Sequence, residues 1–421
     1  MSIILGAIAD DFTGATDLCS TWVKAGIRVI QVIGVPEPGF VPEGADAVVV
    51  ALKSRTIAPD QAIAQSLSAL DWLREQGARQ ILFKYCSTFD STARGNIGPV
   101  TDALLDAMGQ DFTVISPAFP RNGRTIYKGN LFVGDLPLAE SSMKDHPLTP
   151  MRDSSLIRLM QAQARGRCGL VALETVRRGP DAIRAAFDRL RAEGFSYAVP
   201  DAVKDADMLA LGRALDGMAL VTGGSAIAMG LPENLRQSGE LGAALDAALP
   251  EAPGRSVVLA GSCSTATRGQ IAHARKIWPS MKLDVDRIAA GKDVVRQALD
   301  WAEAQDGPIL IYGSSDPAEV ARNQERHGVM KAGAMVEDAL SGIARGLLAR
   351  GWSRFVVAGG ETSGAVISAL GVREMSIGPE VAPGVPWCGA TVAGKPLALC
   401  LKSGNFGGPA MFPEALEMMD G

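Results

Sequence analysis

The stretch AIADDFTGATD at residues 7–17 sets two carboxylates side by side, Asp10 and Asp11, at the end of an apolar run. Neighbouring like charges raise each other's proton affinity, and a carboxylate with a raised pKa suits general-base chemistry. Thr13-Gly14-Ala15 then opens a helix, whose first N–H groups an aspartate oxygen can cap. A cap needs one carboxylate. The second is free to hold a polyol hydroxyl or to accept its proton, although a purely structural role for both stays open.

A second polar cluster is FKYCSTFDSTARGNIGP at 83–99. A strand ends at Lys84, and Ser87, Thr88, Asp90, Ser91, Thr92, Arg94 and Asn96 follow. Such density suits a small, oxygen-rich anion, with Lys84 and Arg94 as carboxylate partners. A solvated loop with a Ser or Asn cap is the alternative. A third stretch, SPAFPRNGRTIYKGNLFV at 116–133, supplies Arg121, Arg124, Tyr127 and Lys128. With ESSMKDHPLTPM at 140–151 it reads as a long irregular segment, which in compact domains is often functional. His146 could serve as a ligand group or as a solvated loop residue.

The other half of the chain has a different signature. AGSCSTATRGQI (260–271), AGGETSGAV (358–366) and LKSGNFGGP (401–409) are Gly/Ser/Thr-rich turns directly after apolar runs. Backbone N–H groups exposed by glycine near helix starts bind phosphates. A tight strand–helix turn would explain any one of them; three in one half point to a nucleotide. Neither GxxxxGK[ST] nor GxGxxG after a strand occurs. A dehydrogenase on a similar sheet therefore lacks its fingerprint, and a non-catalytic carboxylate-binding module would not need the three turns.

The elements that must position these residues follow from apolar runs at 3–9, 28–34, 47–52, 80–85, 112–117, 169–173 and 218–224. Helix-period segments such as DLCSTWVKAG and DQAIAQSLSALDWLREQG separate several of them. After a break at 231–255, marked by Pro232, Pro250 and Pro253, the pattern restarts at 256–262, 308–315, 354–363 and 397–404. Strand–helix alternation predicts an α/β fold of two domains, each a mostly parallel sheet flanked by helices. The boundaries expected are 1–232 and 256–421, with a linker at 233–255. In open parallel sheets ligands bind beyond the carboxyl ends of strands, where these motifs fall.

Composition narrows the classes. A net charge of -5 and the lack of a Lys/Arg block argue against nucleic acid. No apolar run reaches the ~20 residues of a membrane span. The start MSIILGAIADD lacks a basic leader region, so a cytoplasmic protein is expected. Six scattered cysteines without CxxC and three distant histidines suggest neither a disulfide framework nor a metal cluster. Two domains, one acid- and hydroxyl-rich and one a phosphate binder, suit phosphoryl transfer, with ATP on one and the acceptor on the other.

The motifs ADDFTGATD, KYCSTFDST with GNIGPV, PAFP with GRT and LFV, HPLTPM, GSCSTATRGQI, AGGETSGAV and LKSGNFGG together resemble those of the four-carbon acid sugar kinases. The resemblance runs from the first strand to LKSGNFGG. It implies an N-terminal sugar-acid-binding domain and a C-terminal nucleotide-binding domain. It also implies ATP-dependent phosphorylation of a C4 hydroxyl, with 3-oxo-tetronate as the first choice of acceptor and D-threonate or L-erythronate as the second. ATP contacts carry over to Ser262 or Ser264, to Gly359, Gly360, Glu361, Thr362 and Ser363, and to Gly404. On the acceptor side Asp11 is expected as the base and Asp10 as a holder of substrate, with Lys84, Ser87, Thr88, Asp90, Ser91, Arg94 and Arg124. Mg²⁺ is expected with ATP, held by phosphates, waters and one or two carboxylates, so no protein metal motif is required. A homodimer is compatible with the sequence.

Overall fold

The apolar run LGAIA, Leu5–Ala9, is buried at every position and forms β1. A strand without polar alternation must be covered on both faces, and only a helix-flanked parallel sheet does that. The structure, a computed structural model, describes residues 3–420 except Pro38, Glu43, Pro147, Leu148, Leu245 and Ser315. Two residues of the HPLTPM motif, Pro147 and Leu148, thus lie outside the described residues. The chain divides into two compact units, Met1–Asp246 and Ala247–Gly421.

In the first unit β2 (Val29–Ile33), β3 (Ala47–Ala51), β4 (Gln80–Lys84) and β5 (Thr113–Ser116) follow β1. A small three-stranded sheet comes next: β6 (Arg124–Tyr127), β7 (Asn130–Val133) and β8 (Leu136–Pro137). Then come β9 (Cys168–Val171), β10 (Tyr197–Pro200) and β11 (Leu220–Gly223). The main sheet of this unit runs β2-β3-β1-β4-β11-β5-β10-β9, with parallel pairing throughout. Between β3 and β4 the chain passes from one side of β1 to the other. The carboxyl ends of β3, β1 and β4 therefore stand side by side, with Ala9 in register with Ala51 and Lys84. The helix Phe12–Lys24 buries Ala15, Leu18, Cys19 and Trp22, an i, i+3, i+4, i+7 stripe, against the sheet.

The first stretch expected to be irregular, 116–133, instead carries β6 and β7 of this antiparallel sheet. Its first turn is Lys128-Gly129, both at positive φ (49° and 70°), joining the pair Tyr127 and Asn130. Such two-residue turns usually announce themselves as Asn-Gly or Asp-Gly. A lysine in the first position hides the signal.

The second unit contains β12 (Arg255–Ala260), β13 (Ser280–Lys282), β14 (Ile309–Tyr312), β15 (Trp352–Ala358), β16 (Glu374–Ala382), β17 (Val385–Val392) and β18 (Lys395–Lys402). Its order is β13-β14-β12-β15-β18-β17-β16. Pairing is parallel up to β18 and antiparallel for the last two pairs. The second unit repeats the device of the first. The ends of β12, β15 and β18 are neighbours, with Ala358 in register with Ala260 and Lys402. Trp387, Val356, Cys400, Phe412 and Leu416 form part of its core.

Candidate functional site

In the first unit three adjacent strand ends deliver three kinds of group. Asp10 and Asp11 follow β1, Arg55 follows β3, and Lys84 closes β4. Arg55 is the hub. Its Nε donates to Asp10 Oδ2 and its Nη2 to Asp10 Oδ1, both at 2.8 Å, a two-pronged pairing. Nη2 also lies 2.8 Å from Asp11 Oδ1, and Nη1 lies 3.7 Å from Asp90 Oδ2. Lys84 Nζ is 4.0 Å from Asp11 Oδ1. Three carboxylates thus meet two cations.

Asp11 also caps the helix Phe12–Lys24. Gly14 N–H donates to its Oδ1 at 3.1 Å and Thr13 Oγ1 to its Oδ2 at 3.0 Å. The cap and the expected base are therefore the same residue. Gly14 is required for this geometry, because a Cβ there would run into Lys84 Nζ and Asp11 Oδ1.

The two aspartates are pushed apart electrostatically. Burial raises the Asp10 carboxyl above its ordinary value, and Arg55 offsets this only in part. Burial also works to raise Asp11, but Arg55, Lys84, Thr13 and the Gly14 amide outweigh it and hold the group below its ordinary value. Asp11 is also the most accessible of the three, with 27% of its side chain exposed against 6% for Asp10 and 10% for Asp90. Both Asp10 oxygens face Arg55, so Asp10 anchors the guanidinium.

Thr88 and Asp90 belong to the same wall. Thr88 Oγ1 donates to Asp90 Oδ1 at 2.9 Å and lies 2.9 Å from Cys86 Sγ. Burial pushes the Cys86 thiol up to about 12, so it is a neutral neighbour. Phe89 and Asp90 both take positive φ, 65° and 47°. Consecutive non-glycine residues in that region cost about 1–3 kcal/mol each and persist where packing imposes them. Here the buried Phe89 ring stands edge-on to Tyr85.

Ser91 is committed elsewhere. Its Oγ donates to Gln163 Oε1 at 2.9 Å, beside the start of the helix Ile97–Ala107. Among the described residues no hydrogen bond or ion pair joins Ser87, Arg94 or Arg124 to the Arg55 cluster. Arg94 is exposed, Ser87 is half-buried, and Arg124 lies on β6 with its Nε buried and unpartnered. His146 Nδ1 lies 2.9 Å from Thr149 Oγ1, a local loop bond.

Arg55 is not among the residues the sequence points to, although KSRT follows a strand end as surely as the other motifs do. Asn96 holds it in place. Its Nδ2 donates to the carbonyls of Ser54, Arg55 and Ile57 at 2.7, 3.3 and 2.9 Å.

In the second unit the turns after β12, β15 and β18 interlock. Ser264 caps the helix Thr265–Ala274 by accepting Thr267 N–H at 3.2 Å, and Ser262 Oγ accepts Ser264 N–H at 3.2 Å. Ser264 Oγ donates to the Gly404 carbonyl, as does Thr267 Oγ1 at 2.9 Å. Gly360, Glu361 and Thr362 form the first turn of the helix Gly360–Leu370, which has no side-chain cap. Ser363 turns inward: it is fully buried, its N–H donates to Gly359 O at 2.8 Å and its Oγ lies 3.5 Å from Val357 O. Next to the turns lies a cleft of about 280 Å³. Val285, Val320, Ala332 and Val336 make its apolar wall, Asn323, Gln324 and Glu337 its polar edge, and Gly261 and Thr362 its floor. None of the helical wall residues is marked by a local motif. An apolar slot edged by amides beside N–H-rich turns can take a flat heterocycle with its phosphates.

At Gly404 a Cβ would stand 2.7 Å from Ser262 Oγ and 3.3 Å from Ser264 Cβ. Gly404→Val should therefore raise the KM for the nucleotide far more than the KM for the co-substrate. Equal rises in both, measured by initial rates, would mean general damage.

Known proteins resemble this chain along nearly its whole length. A family model described as a sugar-binding N-terminal domain matches residues 5–231, and one described as a nucleotide-binding C-terminal domain matches residues 257–412. A 3-oxo-tetronate kinase of Cupriavidus necator is 54% identical over 422 residues, covering 99% of this chain and 98% of its own. A 3-oxo-tetronate kinase of Methylobacterium radiotolerans is 51% identical over 423 residues and covers all of both chains. Among solved structures, one from Salmonella typhimurium LT2, provisionally described as a tRNA synthase, superposes with a TM-score of 0.90 at 47% identity, covering 98% of this chain and 99% of that one. A Haemophilus influenzae protein gives a TM-score of 0.81 at 44% identity with the same coverage.

Proposed function

For a chain that belongs to the four-carbon acid sugar kinase family, we propose that the reaction is transfer of the ATP γ-phosphoryl group to the C4 hydroxyl of 3-oxo-tetronate. The observation that carries this reading is 54% identity along nearly the whole chain to a kinase of that name. The first unit is the acid-sugar side and the second the nucleotide side.

Asp11 accepts a hydrogen bond from the C4 hydroxyl, orients it for in-line attack and takes its proton as the new O–P bond forms and ADP leaves. A carboxylate held below its ordinary pKa is a weak base. Phosphoryl transfer through a loose transition state needs positioning more than basicity, so that suffices. Lys84, whose described protein partner is Asp11 at 4.0 Å, has ammonium donors for the substrate carboxylate or the transferring group. Arg55 keeps Asp11 aimed, and Asp10 keeps Arg55 in place. Thr88 and Asp90 line the acceptor side.

On the nucleotide side Ser262, Ser264, the Gly359–Thr362 turn and Gly404 hold the phosphates. Mg²⁺ fits such a donor set, since phosphate oxygens and waters supply most of its ligands, and Glu361 is an exposed carboxylate at the Gly-rich turn. When bound it neutralises phosphate charge. Among the described residues no helix is long and apolar enough to cross a membrane, and a cytoplasmic setting is part of this reading.

The test is an ATP-consumption screen over D- and L-threonate, D- and L-erythronate and their 3-oxo forms. Turnover should be fastest with a 3-oxo acid. Faster turnover of D-threonate or L-erythronate would overturn the acceptor but not the kinase. No consumption with any of them would overturn the kinase.

A further inference from the structure

Two fully buried polar side chains of the second unit, Lys402 and Gln270, have no carboxylate partner among the described residues and do similar work. Lys402 ends β18. Its Nζ donates to the carbonyls of Ser403 and Gly404 at 2.9 and 2.8 Å and to Thr267 Oγ1 at 3.0 Å. An ammonium has three donors, and all three are used. Gln270 stands on the helix Thr265–Ala274. Its Nε2 faces the carbonyls of Phe406, Gly407 and Gly408 at 3.0, 3.1 and 3.0 Å. The pair therefore gathers five carbonyls of the turn after β18.

In a trans peptide the C=O and the following N–H point in opposite directions. Carbonyls drawn toward Lys402 and Gln270 turn the N–H groups of Gly404, Asn405, Gly407 and Gly408 the other way. Among the described residues none of these four N–H groups meets a protein acceptor. The turn is accessible from Ser403 to Gly408, and Gly407 takes φ 77°, the alternation that makes a concave set of N–H donors. The Gly404 carbonyl is tied at the same time to Ser264 and Thr267, which fixes this row beside the Ser262 turn.

We infer that Lys402 and Gln270 are positioning residues that build an anion cradle from the N–H groups of Gly404, Asn405, Gly407 and Gly408, and that this cradle holds phosphates of the nucleotide. The inference rests on the nucleotide reading of this unit. Lys402 adds an ammonium beneath the row, and among the described residues no carboxylate pairs with it. Burial lowers its pKa to about 8. From its own strand the titratable neighbour is Cys400, whose thiol burial keeps neutral. The helix presents Thr267 and Gln270 and the turn presents backbone carbonyls, none of which titrates.

The experiment titrates the full-length chain and its Lys402→Met and Gln270→Met variants with ATP, inorganic tripolyphosphate and adenosine, by calorimetry. Each variant should bind ATP and tripolyphosphate roughly tenfold or more weakly, as loss of a charge-supported donor set implies, while adenosine affinity stays within about twofold. Undiminished tripolyphosphate binding in a folded variant overturns the inference, and so does an equal loss of adenosine. If both variants fail to fold, the unaltered protein decides. Its KM for ATP should rise as pH passes upward through about 8 and the ammonium is lost, with the midpoint moved upward by bound phosphates. A flat profile there overturns the inference. Unaltered protein that binds neither ATP nor adenosine would instead remove the nucleotide reading.

Discussion

Asp11→Asn should lower kcat by about 10²–10⁴-fold, the range for loss of a positioned proton acceptor, with the protein still folded. Asparagine is as good a helix cap as aspartate, and its Oδ1 can still accept the Gly14 N–H that Asp11 now takes at 3.1 Å. What disappears is the charge that meets Arg55 and Lys84. The KM for the acid should change less than kcat. A cap-only role makes the opposite forecast, with kcat nearly intact; Asp90 would then be the next carboxylate to test. The pH response has a definite sign. A depressed pKa means that the ionised form contributes stability above the unfolded-state value, and that this contribution is lost as pH falls through the folded-state value. Activity should likewise persist on the acid side until pH drops below the ordinary aspartate range. Kinetics and melting temperature for Asp10→Asn and Asp11→Asn, side by side, separate anchor from acceptor.

Arg55→Met should destabilise the first unit by roughly 3–5 kcal/mol, the cost of removing one partner from a buried charge pair. The lower end applies, because 22% of the Arg55 side chain is exposed. Asp10, Asp11 and Asp90 would be left facing one another with Lys84 alone for compensation. Activity should fall with stability, and the deficit should narrow as pH is lowered, since protonating the stranded carboxylates relieves their repulsion. Arg55→Met combined with Asp10→Asn should recover part of the loss, because neighbouring charges couple in a double-mutant cycle. A single variant that melts like the unaltered protein at neutral pH would show that the guanidinium does not hold the cluster.

Much of this architecture is legible in the sequence because its strands are continuous apolar runs and its motifs sit at their ends. Asp10, Asp11 and Lys84 come from adjacent strands, and the Gly-rich turns after β12, β15 and β18 come together in the same way. Arg55 escapes notice because an arginine in KSRT looks like any solvated loop residue. Its meaning comes from strand order, which places β3 against β1 and brings a residue 45 positions away onto Asp10. Lys402 and Gln270 escape for a related reason. A lysine ending a strand and a glutamine on a helix do not reveal by residue type that both are fully buried against carbonyls. The small antiparallel sheet and the β17–β18 ribbon were hidden by their turns, Lys128-Gly129 and Ala393-Gly394, whose first residues adopt positive φ without being Asn, Asp or Gly. Ser91 and Ser363 stand in such strand-end motifs too, and their hydroxyls face protein groups, Gln163 Oε1 and the Val357 carbonyl.

The eleven strands β1–β11 all precede Arg255, and the seven from β12 onward all follow Pro253. The two units therefore draw on separate, uninterrupted stretches of chain. During synthesis, at about 5–20 residues per second, Asp90 emerges roughly 16–63 seconds before Gly404. All five charged members of the acidic cluster leave the ribosome before the first nucleotide-side turn is made, whereas the row of amides around Gly404 follows more than 300 residues after Asp90. Vectorial folding thus asks nothing of the late half in order to supply the charges of the early one.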